Sequence, residues 1–155
     1  MSIANSIITS VIVMNTEDVF WNELPETLKT SGHIPLLVIS KPVEEDSSAS
    51  AQLQKMLQAC QLNDDQYHVL YIEKDMPWHK LRDVFDPKVI LLLGIHPKEL
   101  GIAALFHLFT PNKFDSRIWI LSLALSELEM QTDMKKQLWA HGLKPVFVDK
   151  TFGNL

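Results

Sequence analysis

Cysteine is nearly absent from this chain. Cys60 stands alone among 155 residues, so neither an internal disulfide nor a cysteine-based zinc cluster can form, which fits a reducing compartment. Glycine is scarce too. Only five occur, none in G-x-G-x-x-G or G-x-x-x-x-G-K-[ST] spacing, so no Gly-rich loop brings backbone N–H groups against a pyrophosphate, and nucleotide hydrolysis is not expected. Basic residues are few and dispersed: 14 Lys and Arg stand against 19 Asp and Glu, a formal charge of −5, and no stretch concentrates enough of them to follow a duplex. Direct duplex DNA binding is therefore disfavoured. Long apolar runs are missing as well. The longest candidate near the start, Ile7 to Met14, falls short of a ~20-residue membrane span. It also lacks the basic flank and the cleavage site of a secretory signal before Glu17 and Asp18, so a cytoplasmic protein without a membrane partner is expected.

What is present describes a globular α/β domain. With 46% hydrophobic and 21% charged residues, the chain has enough apolar side chains for one sizeable core. Ile34 to Ser40 is a short apolar run bounded by Ser31-Gly32 and Lys41-Pro42, which predicts a central strand buried on both faces. The acidic and serine-rich stretch Glu44 to Ser48 then leads into Leu53, Met56, Leu57 and Cys60, the i, i+3, i+4, i+7 spacing of an amphipathic helix. Tyr67 to Ile72 reads as a second strand after the turn Asn63-Asp64-Asp65. A short helix through Leu81, Val84 and Phe85 should stop at Asp86-Pro87.

Val89 to Gly94 contains no polar side chain and predicts an interior strand. Pro97 should open a helix in which Leu100 to Phe109 is apolar except at Gly101 and His107, so that part of its outer face needs cover, which a partner could give. Arg117 to Leu123 reads as a fourth strand. Ser126-Glu127-Leu128-Glu129 has capping-box spacing for a last helix reaching about His141, with Met130, Met134 and Leu138 every fourth residue, Gly142 as its stop and Pro145 to Val148 as an edge strand. Strands alternating with helices predict a three-layer α/β/α sandwich around a mostly parallel sheet, residues 34–155 forming the domain. Residues 1–33 are a separate segment. Ile7 to Met14 and Glu17 to Lys29 can add a strand and a helix, or serve as a docking arm.

Chemistry-bearing residues are sparse. Open α/β sheets bind ligands beyond the C-terminal strand ends, so His96 in Gly94-Ile95-His96-Pro97, with Glu99 as the nearby acid, is the first candidate pocket. The competing reading makes His96-Pro97 a loop dipeptide that caps a helix start. Six histidines occur without H-x-x-x-H or H-E-x-x-H spacing, so no metal site is expected. Glu44, Glu45 and Asp46 are adjacent and point apart, unlike paired catalytic carboxylates. Ser47, Ser48 and Ser50 lack a G-x-S-x-G elbow, and Cys60 falls on an apolar helix face. No catalytic residue and no cofactor is assigned. The aromatics Phe20-Trp21, Trp78 and Trp139 are too dispersed for a single-strand stacking groove, and Trp139 reads as core or semi-core ahead of interface anchor.

Residues 34–144 resemble the psi subunit of bacterial DNA polymerase III. The resemblance rests on the strand Leu36–Ser40, on Leu53 to Cys60, on Leu91 to Gly101 (L-L-L-G-I-H-P-K-E-L-G), and on Ser126 to Glu129 followed by Lys135-Lys136-Gln137-Leu138-Trp139. It implies a three-layer fold akin to that of uracil-DNA glycosylases, no catalytic activity, and a scaffold joining a clamp loader to a chi subunit. In that family an N-terminal segment engages the clamp loader. Phe20, Trp21 and Leu24 are the anchors such a segment would offer here, with Trp139 a further contact. An enzyme of the glycosylase fold is the alternative, although no Gly-Gln-Asp-Pro-Tyr-His type motif is present; a small-molecule-binding α/β module is the third reading.

Overall fold

The computed structural model describes residues 34–44 and 47–153. The expected strand at Ile7–Met14, the helix at Glu17–Lys29 and the anchors Phe20, Trp21 and Leu24 lie outside the described residues. Among the described residues five strands form one sheet in the order β2-β1-β3-β5-β4. These are β1 (Ile34–Ser40), β2 (Tyr67–Tyr71), β3 (Pro87–Leu93), β4 (Pro111–Phe114) and β5 (Arg117–Ser122). The pairs β1 with β2, β1 with β3 and β3 with β5 are parallel, and β4 runs antiparallel to β5. The fold is α/β, as expected.

Strict alternation along the strands divides the core in two. Leu37, Ile39, Leu70, Ile90, Leu92 and Trp119 face one side, while Leu36, Val38, Val69, Leu91 and Ile120 face the other. The second face is covered by α1 (Ser48–Ala59), α3 (Leu125–Met130), a π turn (Leu138–Leu143) and α5 (Lys144–Phe147), each supplying buried apolar residues there. The first face carries α2 (Trp78–Phe85), a 3-10 turn (Pro97–Leu100) and the irregular residues 102–106.

Local sequence explains the helix ends in the first half. Ser47 caps α1, its hydroxyl accepting the Ser50 N–H at 3.1 Å. The α1 face buries Ala49, Gln52, Leu53 and Leu57. Asp86 ends α2 in the left-handed region (φ 42°), its N–H donating to the Arg82 carbonyl, and Pro87 then begins β3.

Beyond β3 several expectations change. The helix expected over Leu100–Phe109 stops after one turn, because Gly101 takes φ 73° and the Ile102 N–H folds back onto the Pro97 carbonyl. Ile102, Phe106 and Phe109 still enter the core, at a spacing that mimics a helix, while Leu105 points out and is 88% exposed. Strand β4 was not anticipated. Its hairpin to β5 turns on Asp115-Ser116, both with positive φ (54° and 60°), the signature of a two-residue type I′ loop.

The last expected helix is broken into α3, α4 (Thr132–Gln137) and the π turn, the first break lying at Gln131 (φ −131°). Its start lies two residues early. Ala124 is the N-cap, its N–H donating to Glu127 Oε1 at 3.1 Å, and Ser126 lies inside the helix. The break turns Met130 outward to 87% exposure, whereas Leu138 is buried. Gly142 is no terminator; a Cβ there would meet the Phe109 carbonyl oxygen at 3.0 Å, so it serves close packing inside the π turn. Pro145–Val148 is not a strand. Pro145 sits in the first turn of α5, where its missing N–H costs nothing, and Val146 and Phe147 are buried on that helix.

Candidate functional site at the topological switch point

The chain leaves β1 toward β2 and leaves β3 toward β5, on opposite sides, so the C-terminal ends of β1 and β3 flank the crevice where such sheets place ligands. Register brings Ser40 beside Leu93. The residues that follow, Lys41-Pro42 and Gly94-Ile95-His96-Pro97, therefore meet at this end of the sheet. The Lys41 N–H donates to the Leu93 carbonyl at 3.3 Å.

His96 and Glu99 are brought together as expected, in a cap. The Lys98 N–H donates to His96 Nδ1 at 3.1 Å, and the His96 N–H donates to Glu99 Oε2 at 2.7 Å, a reciprocal capping box around the 3-10 turn. The other Glu99 oxygen, Oε1, accepts from Lys41 Nζ at 2.8 Å. Burial pushes the Glu99 carboxyl up. The hydrogen bonds from Lys41 and the His96 N–H, with the positive charges beside it, more than offset that and hold it below the ordinary carboxylate range. Glu99 is thus an anion held for structure, with no raised pKa suited to a general acid. The competing reading of His96 as a turn cap is the one its geometry supports.

Gly94 closes the crevice floor. It takes φ 76°, and a Cβ there would lie 2.7 Å from the Ala124 Cβ, so only glycine lets the two loops pass at this distance. Ser40 and Ser122 end their strands buried, each hydroxyl donating to the carbonyl of the next residue.

Lys41 is the residue that sequence reasoning missed. It stands 58 positions from Glu99, and only the parallel pairing of β1 with β3 brings the two into contact. Trp139 is half-buried against the aliphatic core, in agreement with a semi-core role. Cys60 is buried at the end of α1, where burial pushes its thiol up to about 12, so it behaves as a small apolar group. It lines a depression of about 110 Å³ with Pro35, Gln66, Phe147 and Lys150, at the N-terminal end of the parallel strands and away from the switch point. Among the described residues no helix is long and apolar enough to cross a membrane.

The segment after Gly101 carries exposed apolar side chains. Leu105 and Leu108 are both exposed, and Leu108 bridges to Leu121 near the C-terminal end of β5. Compared with known proteins, the chain matches no family model, and no curated protein is significantly similar to it.

Proposed function

We propose that this chain is a non-catalytic adaptor subunit acting through protein–protein contacts, with a clamp-loader subunit and a chi-like subunit as its partners, as its resemblance to the psi subunit implies. The observation that carries this reading is the commitment of the switch-point groups. His96 Nδ1 and both Glu99 oxygens are bonded to main-chain N–H groups or to Lys41, so the place where an open α/β sheet offers catalytic groups is occupied by groups that hold a turn. An exposed surface on the segment after Gly101 suits protein: Leu105 and Leu108 offer apolar area that a lone domain gains nothing by exposing. Phe20, Trp21 and Leu24 are the proposed clamp-loader anchors, and Trp139 a further contact.

The test is co-expression of the full chain with the clamp-loader subunits and the chi-like subunit of its own cell, followed by size-exclusion chromatography. Co-elution with at least one of them is expected, weakened by Trp21→Ala. Failure to bind either, together with release of uracil from DNA that His96→Ala abolishes, would replace the adaptor with an enzyme of the glycosylase fold.

A further inference from the structure

The 3-10 turn Pro97–Leu100 is where three separated stretches of chain are tied together. It leaves β3 through Gly94 to His96. Its Glu99 carbonyl accepts the Met76 N–H at 2.9 Å from the connection between β2 and α2, and its Glu99 carboxylate accepts Lys41 Nζ from the end of β1. A turn of four residues makes few bonds of its own, so its N-cap carries much of what fixes these ties.

The residue in the cap position is not one of the usual ones. Serine, threonine, aspartate and asparagine cap most helices, and their oxygens accept a hydrogen bond throughout the neutral range of pH. His96 accepts the Lys98 N–H through Nδ1 at 3.1 Å, which only the neutral imidazole with its proton on Nε2 can do. The ring is exposed, so a proton from solvent reaches it. An imidazolium has two N–H donors and no acceptor. At Nδ1 a donor would then face the Lys98 N–H, and the ring must turn away.

The charged groups around the ring set where it can turn. On its own turn they are Lys98 and Glu99; Lys41 and Glu44 follow β1; Glu73, Lys74 and Asp75, all exposed, precede Met76; and Glu127 lies on α3 just beyond Ala124, which passes close to Gly94. Of these, Glu99 is the acid already bonded to His96, through the His96 N–H to Oε2 at 2.7 Å. A positive ring there competes with Lys41 for one carboxylate.

We infer that His96 is a proton-operated catch at the switch point: neutral, it caps the turn that holds Lys41 and Met76; protonated, it releases the Lys98 N–H, and the three stretches of chain loosen together as pH falls. The inference does not depend on the adaptor reading, since it concerns only the bonds of the turn.

The experiment is NMR on the full, 15N-labelled chain between pH 8 and pH 5, the span in which histidines change charge, alongside His96→Asn, whose side-chain oxygen keeps the cap throughout. At pH 8 the His96 15N shifts should report the Nε2–H tautomer, and a scalar coupling should cross the hydrogen bond from the Lys98 amide nitrogen to Nδ1. As the ring protonates the coupling should vanish. The Lys98 and Met76 amides, corrected for intrinsic exchange, should then lose protection at least about threefold, and in His96→Asn they should not. A Nδ1–H tautomer at pH 8, a ring still neutral at pH 5, or Met76 protection unchanged once the ring is charged would each overturn the proposal. An equal loss of protection in His96→Asn would overturn it too, by assigning the response to another group. The tautomer, the coupling and the Met76 response are read in the unsubstituted chain, so a variant that failed to fold would leave the test intact, and none of these readings involves clamp-loader binding.

Discussion

The two faces of the sheet bury comparable strands but are closed in different ways. On one, α1, α3, the π turn and α5 lay aliphatic residues such as Leu53, Leu57, Leu128, Leu138 and Val146 over Val38, Leu91 and Ile120. On the other, one eight-residue helix, a 3-10 turn and an irregular segment suffice because the covering side chains are large rings. Trp119 lies at their centre, 4.6 Å edge-on from Trp78 and 5.5 and 5.9 Å from Phe106 and Phe114. A bulky ring spans space that a helix backbone fills on the opposite face, and its N–H must then find a partner. Trp119 Nε1 donates to the Phe114 carbonyl and Trp78 Nε1 to Asp115 Oδ2, both at 2.9 Å, tying this face to the β4–β5 hairpin. The regular face is stitched by a buried amide: Gln52 Nε2 donates to the Leu125 carbonyl and Gln52 Oε1 accepts from Lys135 Nζ. Irregular cover therefore concentrates stability in a few side chains, where regular cover spreads it over many.

That difference can be broken most sharply at Trp119, which is 0% exposed. Trp119→Ala should cost about 3–5 kcal/mol in urea unfolding, against about 2–4 kcal/mol for Leu57→Ala on the helical face. An equal or smaller loss at Trp119 would show that the ring cluster is not what holds its side together.

The next effect is pH-dependent and belongs to the ring-rich face alone. His68 stacks on Phe85 with centroids 5.0 Å apart, is 6% exposed, and among the described residues finds no hydrogen-bond partner at Nε2. Burial lowers its pKa from 6.5 to about 4. The unfolded chain takes up the proton below about pH 6.5 and the folded chain only near 4, so stability is full above 6.5 and is lost as pH falls from 6.5 toward 4. The loss should reach about 3 kcal/mol. Urea midpoints at pH 7.5 and 4.5 should differ less in His68→Leu than in the unsubstituted chain; an unchanged difference would place the acid sensitivity elsewhere. Asp115 and Glu99, both held below the ordinary carboxylate range, add losses that set in as pH falls through their ordinary values of 3.8 and 4.5.

A smaller effect is expected where the hairpin meets the rings. Asp115 is held low first by the hydrogen bond from Trp78, and further by Arg82 and Arg117, against a smaller opposing contribution from burial. Asp115→Asn keeps a residue that tolerates the turn's positive φ and removes the charge, so a loss of about 1 kcal/mol is expected, reduced by salt. A loss that salt does not alter would assign Asp115 to turn geometry alone.

The smallest stability effect falls on the irregular cover's outer side. Leu105→Glu should shift stability by no more than about 0.5 kcal/mol, because the side chain is already in solvent, while reducing recovery of the protein partner. Unchanged recovery would remove this segment from the contact surface.

His96 and Glu99 were legible as a pair, because Pro97 follows the histidine and the acid stands three positions on, the spacing of a cap. Their link to Lys41 was not, since it depends on strand pairing. By itself the sequence determined the parallel α/β class, the central strands β1 and β3, and the helices α1 and α2. Each follows from short-range patterning or composition, in which unbroken apolar runs must lie inside and 3.6-residue periodicity must face a core. Tertiary structure alone decided the rest. Leu100–Phe109 has helical spacing but folds as irregular cover, because Gly101 ends the turn, and from a non-helical backbone Ile102 and Phe106 enter the core on one face of the sheet and Phe109 the core on the other. Gly142 lies within a helical stretch, where a Cβ would press on the Phe109 carbonyl oxygen at 3.0 Å. Both outcomes depend on neighbours distant in sequence, and local propensity, about 1 kcal/mol at a glycine, is too weak to oppose close packing against them.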